Sequence, residues 1–582
     1  MCGRQNRNSK AWRFLTRFQR DESGSMIFFG IIVFLMMLLV GGIGVDFMHA
    51  EMRRTKLQDT LDRAVLAASS LDQDLPARDV ITDYLSKANM ADHLGDVTVS
   101  EGLGHKSVTA TANTTISTQF MNLAGVKTLA LNAASAAEES VGGVEISLVL
   151  DVSGSMNRNS RLSNLKSAAK EFVDTLTTTT EDGKLSISIV PYATQVSLPP
   201  HLMQHLNVSS EHDFSHCVNF SANDYRRPGL DFQQTLERTM HFSPWTDFDG
   251  RPYDPKRLVT SPVCEPASDT SRQIQVLQKD ATGLKSFIDS MWAGGNTSID
   301  VGMKWGTALL DPSLQPTINT LTQSNNISDD FAQRPHAYNS GETLKVIVLM
   351  TDGENTSQYY VEPEFRTGES NIWWNDQEEK YSVYIGQDTG DEDRDGNRDE
   401  PMFYWPHLDD WRDHAYGEGT YEETQVSWEC RSYRRNGSCR RYRKIRKVVT
   451  VNEPGEAEIL PYSELWAHTS IYSNMRKHYR PWMDYWQADN DWYREVYDSV
   501  NHSEKNTRTR DICSQAKAQG IVVYSIGFEA PSNGRAVLRD CASSASHYFD
   551  VSGLEISDAF SSIASSIRQL RLTQCSAVYA DI

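Results

Sequence analysis

Val144-Glu-Ile-Ser-Leu-Val-Leu-Asp151-Val-Ser153-Gly-Ser155 decides how this chain is read. The apolar run has the make-up of a strand buried on both faces. It ends on a carboxylate, and the D-x-S-x-S turn aims that carboxylate and two hydroxyls at one point. Gly154 lets the turn close tightly. A helix is predicted from Arg161 to Leu176, with Leu162, Leu165, Ala169, Phe172 and Leu176 on one face. Strand, polar turn and helix open an α/β unit, a class that places ligand sites at the carboxyl ends of its strands.

The alternation continues along the chain. Lys184–Tyr192 reads as a second strand, and Ile274–Met291 and Ser298–Leu310 as helices. Leu344–Met350 is an apolar strand ending in Thr351-Asp352-Gly353. Ile521–Phe528 is another, preceded by a helix ending at Gly520. A strand over His547–Val551 and a helix over Ile556–Leu570 complete the series. Such a pattern predicts an α/β fold with a doubly wound, mostly parallel sheet covered on both faces, over 143–575. Two stretches interrupt it: about 198–270, rich in Pro, His and Asp, and about 355–509, acidic at first and loaded with Trp and Tyr. Both read as large insertions in loops. Structureless loops of that length are unusual inside a domain, so the second is expected to pack a core of its own.

Before this domain lies Met26–Val45, twenty residues without a charge. A helix of that length spans about 30 Å, the thickness of a bilayer's hydrocarbon core. The competing reading is a cleaved signal peptide, whose apolar region is shorter, about 7–15 residues, and ends at a small-residue cleavage site. No clear A-x-A follows here, so a retained single transmembrane helix is expected. Arg4, Arg7, Lys10, Arg13, Arg17 and Arg20 precede it, whereas the cations after it are interleaved with Asp46, Glu51, Asp59 and Asp62. That bias places residues 1–25 as a cytoplasmic basic tail, with the bulk of the chain outside. Residues 46–140 read as a stalk helix continuing the span, then a small α+β module: a helix over Pro76–Ala91 and strands near 97–99, 107–112 and 129–136.

The formal net charge of −20 argues against nucleic acid as a partner and suits metal cations and basic groups. Seven of the eight cysteines follow the apolar segment, where an oxidising compartment permits disulfides. None forms a C-x-x-C pair, which disfavours zinc. Joining near neighbours gives Cys513–Cys541, Cys430–Cys439 and Cys217–Cys264 with Cys575 left over, although sequence alone leaves connectivity open.

The chemistry gathers in three pieces. Asp151, Ser153 and Ser155 come first. Gly294-Gly295-Asn296-Thr297 supplies a third hydroxyl ahead of a helix, and Asp352 a second carboxylate at a strand end. An all-oxygen set with two charges suits hard Mg²⁺, Mn²⁺ or Ca²⁺. The plainer reading, serines capping a helix, leaves Thr297 and Asp352 unexplained. A phosphotransferase of the haloacid dehalogenase type would need a second carboxylate at position 153, which is Ser153, and no G-x-S-x-G elbow or P-loop occurs. An enzyme is therefore not expected.

In order and context the three pieces resemble the metal-ion-dependent adhesion site of von Willebrand factor A domains. The resemblance implies that Ser153, Ser155 and Thr297 bind the ion, that Asp151 and Asp352 bind it directly or through water, and that an acidic group of a protein partner completes the shell. The N-terminal run RDESGS, apolar span, GVDF and RRTKLQDTLDRAVLAAS, with the tail IVVYSIGF and LRDCASSASHYFD, is similar to TadG-type proteins of the Flp (tight adherence) pilus machinery. This implies a single-pass bacterial inner-membrane protein facing the periplasm, in pilus assembly or surface attachment, with pilus-assembly components as partners. One departure concerns processing: prepilin-like substrates carry a glutamate five residues after the processing glycine, and after Gly24 that residue is Phe29.

Two further features stand apart. Asp391, Asp393, Asp395, Asn397 and Asp399 match the start of a calcium loop, but Met402 replaces the bidentate glutamate at position twelve, so a solvated acidic loop competes with a second Ca²⁺ site. Cys430 and Cys439 bracket a basic stretch, Arg431–Lys447, with a hairpin signal at Asn436-Gly437; an exposed charged ribbon is the plain reading, docking to an acidic surface or lipid headgroups the sharper one. The leading expectation is a metal-dependent adhesion or scaffold protein of Flp pilus assembly. An envelope-interaction or stress-sensing protein unrelated to pili is the alternative, and a hydrolase sited in the Trp-rich insertion a distant third.

Overall fold

The computed structural model describes residues 25–70, 73, 75–102, 105–140, 143–180, 182–338, 343–388 and 400–573. The basic tail with Gly24, Cys2, Cys575 and the acidic loop of Asp391, Asp393, Asp395, Asn397 and Asp399 lie outside the described residues. The described residues divide into two compact units, one within 1–142 and 568–582, the other Gly143–Ile567.

In the first unit, apolar span and stalk form one continuous helix, α1 (Ser25–Ala68), about 66 Å long at 1.5 Å per residue. It is long and apolar enough to cross a membrane. Its C-terminal half carries Leu57, Leu61, Ala64, Val65 and Ala68 at three- and four-residue spacing. This stripe packs on Val80, Ile81 and Leu85 of α2 (Ala77–Lys87). It also meets the inner face of an antiparallel sheet, order β1-β2-β3, formed by β1 (Leu94–Gly102), β2 (His105–Ser117) and β3 (Thr128–Ser140). Val108, Ala110, Ala112 and Ala133 face the helix, and their small size lets it lie close. Asp46 accepts the backbone N–H groups of Gln119, Phe120 and Met121 at 3.2, 2.8 and 2.8 Å, fastening the β2–β3 loop to α1.

The second unit is built on a six-stranded sheet. Its strands are β4 (Gly143–Asp151), β5 (Leu185–Tyr192), β6 (Gln275–Gln278), β7 (Thr343–Thr351), β8 (Val522–Phe528) and β9 (Tyr548–Val551). The order is β9-β8-β7-β4-β5-β6, all parallel except β6 against β5. The chain winds outward in both directions from the β4/β7 pair, the order of a Rossmann-like, von Willebrand A-type sheet with its switch point between β4 and β7.

Helices α3 (Arg161–Thr179), α4 (Ala281–Ser290), α5 (Ile299–Ala308), α6 (Gln315–Gln323), α7 (His502–Ala518), α8 (Ser532–Cys541) and α9 (Glu555–Thr573) cover it. Residues of α5, α6, α7 and α8 share one core with Val149, Val190, Ile347, Leu349 and Val523. On the opposite face Phe172 of α3 meets Phe560 of α9 edge-on at 5.5 Å.

Two contacts set the site end of this sheet. Glu145 and Lys345 are register partners across β4 and β7, and Lys345 Nζ donates to Glu145 Oε2 at 2.5 Å in the interior. A slip in register would separate this buried pair, so Leu150 stays opposite Met350 and the two acidic turns emerge side by side. Helix α5 lies unusually near the sheet: a Cβ on Gly306 would stand 2.4 Å from Val149 Cγ2, and one on Gly302 2.6 Å from Tyr192 Cδ1. Only the missing side chains permit this approach.

The stretch expected as one helix over Ile274–Met291 is strand β6 followed by α4. Val276 and Leu277 are buried at the sheet edge, and Asp280 breaks the two apart by accepting the backbone N–H of Thr282 and Gly283.

The insertions are structured and share a core. Within 355–509 an antiparallel sheet forms from Glu369–Asn375, Lys380–Asp388, Glu400–Trp405, Asp410–Arg412 and Ala457–Pro461. Gln358–Val361 pairs with Tyr497–Val500, joining the insertion's two ends. Trp374, Tyr381, Trp466 and Tyr479 pack in one cluster with Met240, Phe242 and Val263 of the first insertion. Disulfides join Cys217–Cys264, Cys430–Cys439 and Cys513–Cys541, the three near-neighbour pairings.

Candidate functional site

The three polar pieces meet at the carboxyl ends of β4 and β7, at the switch point. Asp151 is the last residue of β4, and Ser153 and Ser155 occupy the following turn. Asp352 follows β7, and Thr297 precedes α5. Backbone bonds lace the first two loops together: Gly154 N donates to Gly295 O, and Gly294 N to Val152 O, both at 2.9 Å. Thr297 N donates to Thr356 Oγ1 at 2.8 Å and Thr356 N to Thr297 O at 3.0 Å, fastening the loop before α5 to the one after β7. Asn355 Oδ1 accepts the N–H of Ile299 at 2.8 Å, satisfying one orphan donor at the start of α5.

The side chains converge. Ser155 Oγ donates to Asp352 Oδ1 at 2.6 Å and lies 3.1 Å from Ser153 Oγ. Thr297 Oγ1 and Ser155 Oγ flank Gly353, at 3.6 and 3.8 Å from where its Cβ would stand. Ser153, Thr297, Asp151 and Asp352 are all buried. Asp151 is held differently from the others: Oδ1 accepts the N–H of Ser153 at 2.7 Å, and Oδ2 the hydroxyl of Thr351 at 2.6 Å. Burial first, and then the charge of Asp352, push its carboxyl well above the usual carboxylate range. Two acidic side chains buried beside each other favour a neighbouring cation.

One cation is already present. Arg161, the first residue of α3, donates from Nη1 to Asp352 Oδ2 at 2.6 Å and from Nε to Glu529 Oε2 at 2.9 Å. Around it Asn159, Ser160 and Glu529 all hold positive φ, at 52°, 57° and 55°. Left-handed backbone is costly for side chains with a Cβ, so the rim of the site stores strain. Behind the site, Lys505 of α7 is buried and donates to Thr297 O, Ser298 Oγ and Thr356 O at 3.0, 2.6 and 2.7 Å.

The sequence pattern singled out Asp151, Ser153, Ser155, Thr297 and Asp352, and the structure brings all five to one place. It did not single out Arg161, Glu529, Thr351, Asn355, Thr356 or Lys505. Thr351 was within the T-D-G turn and Asn355 just beyond it. Arg161, Glu529 and Lys505 carry no local signal, because they reach the site only through helix and loop packing.

The donor set fits a hard divalent ion: every side-chain group is oxygen, two are carboxylates, and the hydroxyl and carboxylate oxygens already lie 2.6–3.1 Å apart. Neighbouring ligands of an octahedron at about 2.1 Å from its ion stand about 3 Å apart. Asp151, with both oxygens engaged by Ser153 and Thr351, is placed to orient the serine turn.

Residues 24–78 match the family model described as putative Flp pilus-assembly TadE/G-like. No curated protein matches the chain. Among solved structures it is similar to the vWF domain of the type V pili tip protein Mfa5 from Porphyromonas gingivalis, at 14% identity over 74% of this chain and 96% of that one, TM-score 0.29. It is also similar to the adhesive tip pilin GBS104 from Group B Streptococcus agalactiae, at 12% identity over 73% and 100%, TM-score 0.27. A third is the PilB minor pilin from Streptococcus sanguinis, at 11% identity over 82% and 78%, TM-score 0.27. The strand order of the sheet is what establishes the fold. The chain thus combines an N-terminal segment similar to the TadE/G-like pilus-assembly family with a von Willebrand A-type α/β domain.

Proposed function

We propose that this chain is a membrane-anchored, periplasm-facing adhesion or scaffold protein of Flp pilus assembly that captures a protein partner through a divalent metal ion. The observation that carries the reading is the convergence of Ser153, Ser155, Thr297 and Asp352 at the β4/β7 switch point, with Asp151 bracing the serine turn. Mg²⁺, or Mn²⁺ or Ca²⁺, would be held by Ser153, Ser155, Thr297 and Asp352. When bound, the ion supplies positive charge that an acidic side chain of a partner can ligate. The chain's own part is to hold the hydroxyls in register, bury the carboxylates, and present the site at the carboxyl end of the sheet. The role proposed is binding and not catalysis: the sequence has no G-x-S-x-G elbow or P-loop, and Asp352, the carboxylate that Ser155 reaches, is already held by Arg161. The TadE/G-like segment supports the pilus context, and α1 supports the anchor.

The test is capture of candidate pilus components by the full chain in detergent, with Mg²⁺, with EDTA, and with Asp151→Ala. Capture that requires Mg²⁺ and is lost in the variant supports the reading. Capture indifferent to both perturbations refutes the metal bridge.

A further inference from the structure

The basic stretch bracketed by Cys430 and Cys439 is the outer part of a long two-stranded ribbon, Thr420–Tyr433 paired antiparallel with Cys439–Asn452. Fourteen residues per strand extend about 45 Å at 3.3 Å per residue. The ribbon forms a sheet of its own and is exposed along nearly all its length. Near its base Tyr421 stacks edge-on against Trp405 at 5.5 Å. An isolated hairpin is marginal in water, and nothing in the ribbon's interior explains its side-chain choice.

That choice is specific. In a chain of net charge −20, residues 420–452 carry nine cations against three carboxylates. Only Arg443 has an ion-pair partner among the described residues, Glu429 at 3.1 Å. Register pairs Val426 with Arg446, Trp428 with Lys444 and Thr424 with Val448. Directly opposed residues share a face, and Tyr442, two residues before Lys444, falls on it too. One face therefore shows Trp428, Tyr442, Val448 and Val426, exposed by 62%, 63%, 55% and 47%, interleaved with Lys444 and Arg446.

We propose that this face docks on a bilayer surface rich in anionic phospholipid headgroups. Cations meet headgroup phosphates, while Trp428 and Tyr442 enter the interface, where amphipathic rings settle favourably. A protein partner would have to offer a shaped pocket for a freely exposed Trp; a bilayer interface needs none. The same chain carries a helix long and apolar enough to span a bilayer, so a membrane is a surface the chain would meet through its anchor. The inference rests on the anchor part of the proposed function and is independent of the metal.

The test uses the full chain in lipid nanodiscs, of phosphatidylcholine alone or with phosphatidylglycerol, digested briefly with trypsin. Cleavage within 431–447, read by mass spectrometry, is expected to slow at least about fivefold in the anionic discs and to recover at high salt. Trp428→Ser with Tyr442→Ser, both at exposed positions, should abolish most of that protection. Equal cleavage in the two discs overturns the proposal. So does protection equal in both discs that grows with protein concentration, which would mark docking between copies of this chain. Failure of the chain to enter discs at all would refute the anchor instead; ribbon cleavage is then read with added vesicles of the same two compositions, where equal rates again overturn the docking.

Discussion

Arg161 Nη1 lies 2.6 Å from Asp352 Oδ2, so the carboxylate at the end of β7 is neutralised by the first residue of α3. The Asp352 side chain is fully buried and that of Arg161 is 14% exposed, so the pair is only partly screened by water. Its second arm reaches Glu529 in the loop after β8.

An ion ligated by Asp352 must compete with this guanidinium. Arg161→Gln is expected to tighten Mg²⁺ binding by roughly tenfold, the worth of one charged hydrogen bond, and to lower stability in EDTA because Asp352 is left buried without its partner. Calorimetric titration of Mg²⁺ and melting with and without EDTA check both halves. Weaker binding in the variant would mean that Arg161 supports the ion instead of opposing it.

Gly306 is a packing requirement. Gly306→Ala places a methyl 2.4 Å from Val149 Cγ2, and both neighbours are fully enclosed. Overpacking of this kind costs about 1–3 kcal/mol. Urea denaturation should show a lower midpoint with an unchanged slope, and because α5 follows Thr297, Mg²⁺ affinity should fall with it.

The insertions should be acid-sensitive. Burial holds the His478 ring near about 4, where it shares a hydrogen bond with Asn474 Oδ1 at 2.8 Å. Burial, then the charge of Arg238, holds His212 near about 4 as well. Both rings stay neutral in the fold, whereas the unfolded chain takes up protons below about 6.5. The unfolded state thus binds more protons between about 6.5 and about 4, and stability falls as pH drops through that window. Denaturation midpoints between pH 7 and pH 5 measure the slope, and His478→Gln should flatten it.

The Cys513–Cys541 bridge ties α7 to α8 over a sequence separation of 28. Closing a loop of that size is worth about 3–4 kcal/mol through the unfolded chain. The double variant Cys513→Ala, Cys541→Ala should lose about that much in urea denaturation. A loss near zero would show that helix packing alone holds α7 and α8 together.

The motif turns and the alternation of strand and helix could be read from sequence because both are local: a buried parallel strand needs a continuous apolar run, and an acidic turn at its end needs particular residues in consecutive positions. That local grammar placed Asp151, Ser153, Ser155 and Asp352 at strand ends and Thr297 ahead of a helix, and marked Met26–Val45 as a bilayer-length helix. It misread Ile274–Met291, where a four-residue edge strand and a helix run together in apolar content and only the Asp280 cap divides them. Only the tertiary structure decided that two separate insertions share one core, that Arg161 and Glu529 reach Asp352, and that Trp428 and Lys444 share an exposed face. These relations join residues far apart along the chain or on facing strands, and no periodicity encodes them; they follow from how whole elements bury their apolar faces against one another.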